Sequence, residues 1–320
     1  MTSDTSTPTP PGAKTWRMKA LTDIWTGDSE GKPHRLIATG LLGSVRWWFE
    51  VLVRGLGGSA CDPTETKCRD QRHCVVCELF GCTGWARKFR FDVLDANGEL
   101  QAVQIKKDDT FNLHFTPLRP IREVEWALLD LTLRLIAGYG AVGGKTVLKP
   151  SDEQTRMSRP NHKDYGLLQV AQHPDLDALP PGALRKHVQG DRWHRVDGND
   201  LAWVSVENFW FIDGRYLGRQ STNGSTFNRV VGRKEPKGQA QHLCSSAADT
   251  WLAGKQRESK KVFSFKNPPR TFGFVKPSVI DMAGMRQRLK SAWPNMNDTE
   301  VIEGPALLVR LLGSDTGGTP

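Results

Sequence analysis

The chain has 320 residues, of which 38% are hydrophobic and 25% charged, so it is long enough for two domains that each have a core. Its 44 Lys and Arg residues outnumber its 35 Asp and Glu residues, which gives a formal charge of +9 and favours polyanionic partners. No apolar run reaches the roughly 20 residues of a membrane helix, and the N-terminal segment lacks the basic flank and apolar stretch of a signal peptide. We therefore expect a cytoplasmic protein without membrane contacts.

The first elements in chain order are a strand and a long amphipathic helix. Residues 1–13 are rich in Thr, Pro and Ser and should form a disordered tail, and Lys14 to about Ile24 read as a strand. In the stretch that ends at Gly57 and Gly58, apolar residues recur at helical spacing with a polar stripe opposite them. The apolar face comprises Leu41, Val45, Trp48, Phe49, Leu52 and Leu56, and the stripe comprises Arg46, Glu50 and Arg54.

Trp47 projects to the far side of this helix, towards Arg54. An exposed indole beside guanidinium groups is suited to stacking on the bases of a single-stranded nucleic acid. The alternative is that Trp47 packs beneath another element of the protein, which is the more frequent fate of a single tryptophan.

A cysteine-rich segment follows the helix. Cys61, Cys68, Cys74, Cys77 and Cys82 lie within 22 residues, and a reducing cytoplasm makes metal ligation a better explanation than disulfides. The C-x-x-C pair of Cys74 and Cys77, completed by Cys61 and Cys68, predicts a closed, structural zinc site in an insertion at residues 59–86. A thioredoxin-like redox pair and ordinary buried thiols are the alternatives, and His73 or Cys82 could replace one ligand.

Further strands and a helix are predicted beyond the insertion. The strands cover residues 89–93, 100–105 and 109–115, and the helix, from Ile121 to Ala137, is apolar on nearly every side. With the glycine loop and strand that follow, the order is the β-α-β-β-α-β pattern of a ferredoxin-like domain over residues 14–150.

The glycine loop AGYGAVGGKTVLKPS resembles a phosphate-binding loop. A Walker A motif requires glycine at position 139, where this chain has Tyr139, and the loop follows a helix instead of a strand, so a nucleoside triphosphatase is disfavoured. The glycines still allow a phosphodiester to approach the main chain, with Lys145 and Lys149 as counter-charges. A plain turn between helix and strand is the alternative.

The second half of the chain is predicted to be more degenerate. Residues 151–200 are polar and rich in proline and should form a linker or insertion with little regular structure. Residues 201–312 should form a second ferredoxin-like domain, with a hairpin around Pro268 and Pro269, a short amphipathic helix and a final buried strand in GPALLVRLLG. Residues 313–320 should be a disordered tail. The predicted fold class is α+β, with two ferredoxin-like (RRM-like) domains and the Cys-rich zinc-binding insertion in the first.

Three segments together resemble the RAMP superfamily of CRISPR effector subunits, and within it the Cmr-one family of the type III-B Cmr complex. They are GLLGSVRWWFEVLVRGLGG, CVVCELFGCTGWARKFRF and GYGAVGGKTVLKPS, and the likeness is strong over residues 15–151. The resemblance implies two ferredoxin-like domains that face each other across a basic cleft. It also implies a non-catalytic, RNA-binding and assembly subunit in antiviral defence, which contacts CRISPR RNA or complementary target RNA near the 3′ end of the guide, beside other RAMP subunits.

The family's Arg-Trp signature corresponds to Arg46 and Trp47, and its glycine loop to residues 138–145. The predicted RNA-binding residues are Arg46, Trp47, Arg54, Arg87, Lys88, Gly138, Gly140, Gly143, Gly144, Lys145, Thr146 and Lys149. Some RAMP relatives cleave RNA with a histidine, so a guide-processing endoribonuclease that uses His34 is the alternative function. A zinc-dependent hydrolase is a third hypothesis.

Overall fold

The structure is a computed structural model, and it divides the chain into two compact units. It describes residues 12–27, 30–62, 68, 72–144, 149–196, 201–221, 224–233, 246–254 and 259–313. The first unit comprises Met1–Lys145, Gly166–Leu201 and Leu311–Pro320, and the second comprises Thr146–Tyr165 and Ala202–Arg310. The tails predicted to be disordered fall largely on residues 1–11 and 314–320, which lie outside the described residues.

The described residues form helices together with antiparallel sheets, which confirms the predicted α+β class. The strands are β1 Lys14–Ala20, β2 Phe89–Leu94, β3 Thr110–Pro117, β4 Leu168–Gln172, β5 Phe209–Asp213, β6 Arg219–Ser221, β7 Gly224–Ser225, β8 Val262–Lys266, β9 Pro269–Phe274 and β10 Ile302–Glu303. The α-helices are α1 Ala38–Gly55, α2 Val75–Phe80, α3 Glu123–Tyr139, α4 Gln154–Met157, α5 Pro181–Gln189, α6 Thr226–Val230, α7 Ala247–Ala253, α8 Met282–Ala292 and α9 Gly304–Gly313. Short 3-10 helices cover Pro160–His162, Val206–Asn208 and Asp298–Glu300.

The first unit is built on a four-stranded antiparallel sheet in the order β2-β3-β1-β4. Strand β1 shows why this sheet has one buried face, because its side chains alternate. Trp16 and Met18 are buried, whereas Arg17 and Lys19 are exposed. The inner face is aromatic, and the Trp16 ring packs edge-on against Phe115 with 5.4 Å between centroids.

The two long helices of the first unit lie where the sequence predicts helices, which confirms both predictions. Helix α1 packs against α3, and both contact strands of the sheet. Trp48 of α1 is 2% exposed, as expected for the apolar face. Helix α3 buries Trp126, Leu128 and Leu129, which lie on different sides of it, because it is covered on more than one flank.

The second unit contains a separate sheet with the order β10-β5-β9-β8, again antiparallel. Strands β8 and β9 form the hairpin predicted around Pro268 and Pro269. Its core includes Trp210, Met285 and Leu289, of which Leu289 is on the predicted apolar side of α8.

Counted within each unit, the strands of both four-stranded sheets follow the same order, 4-1-3-2. Helices α1 and α2 lie between the first and second strands of the first unit, and α3 lies between the third and fourth. Helices α6, α7 and α8 occupy the corresponding positions in the second unit. The element order in both units therefore agrees with a β-α-β-β-α-β arrangement.

The sequence misassigned two short apolar stretches. Residues 100–105, predicted as a strand, form only isolated bridges at Leu100 and Val103, whose side chains are 70% and 63% exposed and so have no core to stabilise a strand. The final stretch is helix α9 instead of a buried strand, with Leu307 and Leu311 buried one turn apart. Short apolar runs do not distinguish a strand from a buried helix.

The prediction of little regular structure in residues 151–200 is also wrong. This stretch contains β4, which completes the first sheet by pairing with β1, and the nine-residue helix α5. Its residues from Gly166 to Leu201 belong to the first unit. Strand β4 lies at the edge of the sheet and exposes most of its side chains, so its sequence lacks the apolar alternation of an inner strand.

No described helix has both the length and the apolar composition that crossing a membrane requires.

Candidate functional site

Four buried cysteines of the first unit converge on one point. The sulfur atoms of Cys61, Cys68, Cys74 and Cys77 all lie within 4.8 Å of one another. The Sγ atom of Cys61 is 3.2 Å from that of Cys77 and 3.8 Å from that of Cys74. These are the four residues that the spacing predicts as metal ligands.

Local backbone structure positions these sulfurs. Cys74 is the N-cap of α2, and its sulfur accepts a hydrogen bond from the backbone N–H of Cys77 at 3.5 Å. The backbone N–H of Cys74 donates in turn to the sulfur of Cys68 at 3.3 Å. N–H groups directed at sulfur stabilise thiolate over thiol, which is the form that binds a metal.

The cluster has the composition and size of a tetrathiolate metal site. A regular tetrahedron with metal–sulfur bonds of about 2.3 Å has sulfur–sulfur edges of about 3.8 Å, which the observed separations approach. His73 and Cys82 are not members of this group. The His73 ring stacks on Trp85, and the Cys82 thiol is directed at the carbonyl oxygen of Cys68, 3.6 Å away.

The polar stripe of α1 supports this cluster from one side. Arg46 donates to the sulfur of Cys77 at 3.4 Å, to the carbonyl oxygen of Gly81 at 2.7 Å and to Glu50 at 3.2 Å. Arg54 donates to the carbonyl oxygen of Ala60 at 3.2 Å. The two arginines thereby contact Cys77 and the residue next to Cys61, and these are two of the four clustered cysteines.

This stripe is not solvent-exposed, which corrects the expectation that it lies opposite a single buried face. Glu50 is 2% and Arg54 8% exposed. Burial raises the pKa of Glu50 despite Arg54 and Arg46 nearby. The helix therefore has two buried faces, because the cysteine-rich insertion covers the side that a simple amphipathic pattern assigns to water.

The described part of the glycine loop is packed in its middle and exposed at its ends. Ala141 and Val142 are buried, whereas Gly138 and Gly144 are exposed. Trp48 Nε1 donates to the carbonyl oxygen of Ala141 at 2.9 Å. A side chain at position 140 would meet the Trp48 ring at 2.5 Å, so glycine is needed there for close packing.

Gly143 has a different constraint. Its φ is +98°, and a Cβ atom there would lie 2.6 Å from the carbonyl oxygen of Trp25. The backbone N–H of Gly144 donates to the same oxygen at 2.8 Å. At least two of the four glycines thus serve the packing of the loop.

The other predicted RNA-binding residues lie in varied surroundings. Trp47 is half-buried, with its ring edge-on to Trp48, and Arg87 is half-buried. Lys149, in the second unit, donates to Asn228 at 2.5 Å. Lys145 and Thr146 lie outside the described residues.

Arg46 makes its hydrogen bonds on the cysteine side of α1 and makes no hydrogen bond to the described part of the glycine loop. The roles of all these residues in RNA binding stay predictions.

Lys88 is a buried member of an ion-pair group. Its ammonium group, on a residue that is 7% exposed, lies 2.9 Å from carboxylate oxygens of both Glu78 and Glu125. Glu125 also accepts from the backbone N–H of Arg122 at 2.9 Å. Burial raises the pKa of Glu125, but the hydrogen bonds from Arg122 and Lys88 outweigh it and hold this pKa below its usual value.

Sequence reasoning missed three residues near this group. Arg122, Arg192 and Trp193 line a cleft of about 330 Å³ together with His73, Glu78 and Lys88. Arg192 and Trp193 lie in residues 151–200, which the sequence predicts as a linker or insertion. The one available signal was the cluster of basic and aromatic residues in GDRWHRV.

A second missed feature is an Asp–His pair. Asp130 of α3 is 4% exposed, and His173 Nδ1 lies 2.7 Å from it. Trp16 and Arg134 also donate to Asp130, at 2.8 and 2.7 Å. Asp130 thus joins the sheet to the helix as well as orienting His173.

Residues 17–148 match the model of the RAMP superfamily, which is less than half of the chain. No curated protein matches the sequence. Among solved structures, the chain is similar to the apo form of Cmr1 from Pyrococcus furiosus, with 10% identity and a TM-score of 0.45, over 91% of this chain and 98% of that one. It is also similar to a chain in the type III-B Cmr-beta complex bound to cognate target RNA, with 11% identity and a TM-score of 0.48, over 88% of this chain and 99% of that one.

The family match spans α1, the cysteine cluster and the described part of the glycine loop, which are the segments that carry the predicted resemblance. The low identities and TM-scores of the two solved structures add nothing to it. Residues 17–148 are therefore similar in sequence to the RAMP superfamily.

Proposed function

We propose that this chain is an RNA-binding and assembly subunit of a type III-B CRISPR ribonucleoprotein effector, and that it contacts CRISPR RNA or complementary target RNA near the 3′ end of the guide. The observation that carries the proposal is the RAMP superfamily match over residues 17–148, together with the resemblance of the same segments to the Cmr-one family. The formal charge of +9 suits a polyanionic partner.

The proposal includes two ferredoxin-like domains. The shared 4-1-3-2 order of the two antiparallel sheets supports it, as does the placement of helices between the first and second strands and between the third and fourth.

The proposal also includes one structural zinc ion on Cys61, Cys68, Cys74 and Cys77. Four buried sulfurs at tetrahedral separations, inside a segment of mostly short elements, support it. When bound, zinc would supply a cross-link that replaces a hydrophobic core. The ligands leave no open coordination position for a substrate, so we assign the site no chemistry beyond stability.

RNA binding can be tested with the purified full-length chain and a labelled single-stranded repeat RNA at fixed salt. We expect Trp47→Ala and Lys145→Ala each to weaken binding about fivefold to tenfold, through loss of a base stack and of a phosphate contact. Lys19→Ala is the matched control, because Lys19 is an exposed lysine on β1. If the wild-type chain binds no RNA alone or within its assembled effector, the proposed function is wrong.

We further propose that the chain is not the nuclease of its complex. His34, the predicted catalytic histidine, is exposed in the loop before α1. The observation that favours the alternative, a guide-processing endoribonuclease, is the His173–Asp130 pair, because a buried carboxylate that orients a partly exposed histidine is a known arrangement for a general base.

Incubation of labelled repeat RNA with the wild-type chain, with and without EDTA, decides between these functions. Intact RNA supports the binding subunit. Discrete products that disappear in His34→Ala or His173→Ala, but persist with EDTA, establish the endoribonuclease instead.

A further inference from the structure

A cleft beside the cysteine cluster has the chemistry of a nucleotide site. It occupies about 330 Å³ at the surface of the first unit, near the lower end of the usual size of ligand sites. Lys88 and His73 are buried and Glu78 is half-buried, whereas Arg192 is exposed and the Arg122 side chain is 40% exposed. The charged groups that could meet a ligand therefore stand at its rim.

The charges of the cleft do not balance. Three cations, Lys88, Arg122 and Arg192, face two carboxylates, Glu78 and Glu125. Lys88 lies within 2.9 Å of both carboxylates, and Arg122 shares Glu125 at 3.3 Å. Among the described residues, no carboxylate lies within salt-bridge distance of Arg192, whose guanidinium instead contacts His187 at 3.4 Å. One positive charge is thus left over at the rim.

The two arginines are held together by one tryptophan. The guanidinium groups of Arg192 and Arg122 lie 4.2 and 5.8 Å from the centroid of the Trp193 ring. Trp193 is itself fixed by a hydrogen bond from its Nε1 to the carbonyl oxygen of His187, at 2.5 Å. Burial, and then Arg122, lower the pKa of His187 to about 4, so this histidine adds no charge at neutral pH.

Two positive charges close to each other repel unless an anion binds between them. The Arg122 and Arg192 guanidinium groups line the same cleft and lie against the same Trp193 ring. Burial, and then the neighbouring Arg122, lower the pKa of Arg192. A phosphate group between them would remove this repulsion and would accept the paired N–H donors that guanidinium groups present.

We infer that this cleft binds one nucleotide of single-stranded RNA, with its phosphate between Arg122 and Arg192 and its base stacked on the Arg192–Trp193 pair. The inference rests on the proposed RNA-binding function and adds a contact site separate from the glycine loop. A guanidinium plane on an indole offers a flat cationic surface that accepts any base.

The test uses the full-length, metal-loaded chain and fluorescence anisotropy with a short labelled single-stranded RNA at fixed salt. We expect Arg122→Ala and Arg192→Ala each to weaken binding about tenfold. Arg192→Lys, which keeps the charge but loses the plane, should give a smaller loss. Arg185→Ala on α5, which removes an equally exposed arginine nearby, should leave affinity near that of the wild type.

A second measurement is independent of folding defects in the variants. Ultraviolet cross-linking of the wild-type chain to the same RNA, followed by mass spectrometry, should place a cross-link on the peptide that contains Trp193. If Arg122→Ala and Arg192→Ala match Arg185→Ala and no cross-link falls there, while Trp47→Ala or Lys145→Ala still weakens binding, the cleft inference is wrong and the proposed function stands. If the wild-type chain binds no RNA, both are wrong.

Discussion

Arg46 illustrates how one residue can connect a helix to the cysteine cluster. Its guanidinium group reaches Cys77, Gly81 and Glu50 at 2.7 to 3.4 Å. A cation next to four thiolates offsets their charge, so we expect Arg46→Ala to lower zinc affinity about tenfold to hundredfold. Chelator competition on the purified protein measures this loss. Arg90→Ala is the control, because the Arg90 side chain is 60% exposed and pairs with Asp92.

If the zinc affinity of Arg46→Ala is unchanged and equals that of Arg90→Ala, Arg46 stabilises helix α1 and does not contribute to metal binding. If Arg46→Ala instead loses RNA affinity and keeps its zinc, the family-based assignment of this residue to RNA is the better one.

Glu125 carries a second prediction at the residue scale. It is 2% exposed and accepts hydrogen bonds from Lys88 and Arg122, so Glu125→Gln leaves Lys88 in a buried site with one carboxylate. Breaking a buried ion pair from one side costs about 3 kcal/mol, which we expect in the free energy of unfolding at neutral pH, measured with urea. Glu123→Gln, at an exposed position in the same turn, should change it little.

The same residue predicts a pH dependence. Because the folded pKa of Glu125 is held below its ordinary 4.5, the native state binds this proton less readily than the unfolded chain does. Its contribution to stability is therefore complete above pH 4.5 and is lost as the pH falls through the lowered folded value. The fall in wild-type stability over this acidic range should be shallower in Glu125→Gln, and identical slopes would contradict the assignment.

At the scale of elements, the end of α3 and the glycine loop should respond in opposite ways to the same substitution. Gly138 lies within α3 with open space around it, so Gly138→Ala should stabilise the protein by about 0.5–1 kcal/mol. Gly140→Ala places a methyl group 2.5 Å from the Trp48 ring and should destabilise it by about 1–3 kcal/mol. Thermal unfolding of the two variants checks the contrast, and equal shifts would show that the loop is not packed on α1.

At the scale of the whole molecule, metal removal should affect one unit and spare the other. All four cysteine ligands belong to the first unit, and the second unit has its own core. We expect about one zinc per chain by elemental analysis in protein purified without chelator. After chelation, hydrogen exchange should accelerate in residues 59–86 and along α1, while β5, β8 and β9 keep their protection. Uniform acceleration, or none, would refute a local structural role for the metal.

The sequence alone determined the elements whose signals are local and redundant. Helix α1 follows from apolar periodicity and helix α3 from a long, mostly apolar segment, each over more than four turns. The β8–β9 hairpin follows from alternation on both sides of two prolines. The cysteine cluster was predictable for a similar reason, since a C-x-x-C pair with two further cysteines in a short polar segment is typical of a metal site. The similarity of residues 17–148 to the RAMP superfamily was likewise recognisable from three motifs.

Only the tertiary structure decided what depends on distant contacts. Residues 166–201 belong to the first unit, where they add β4 to the sheet and place Arg192 and Trp193 beside Lys88. The sequence could not show this, because the edge strand and the loop involved have no apolar periodicity. The burial of Glu50 and Arg54 depends on an insertion that covers them from outside their own helix. Whether the final apolar stretch forms a helix or a strand also depended on its tertiary contacts, and it forms helix α9. A local sequence pattern indicates which side chains are buried, but the element that covers them is determined by the tertiary structure.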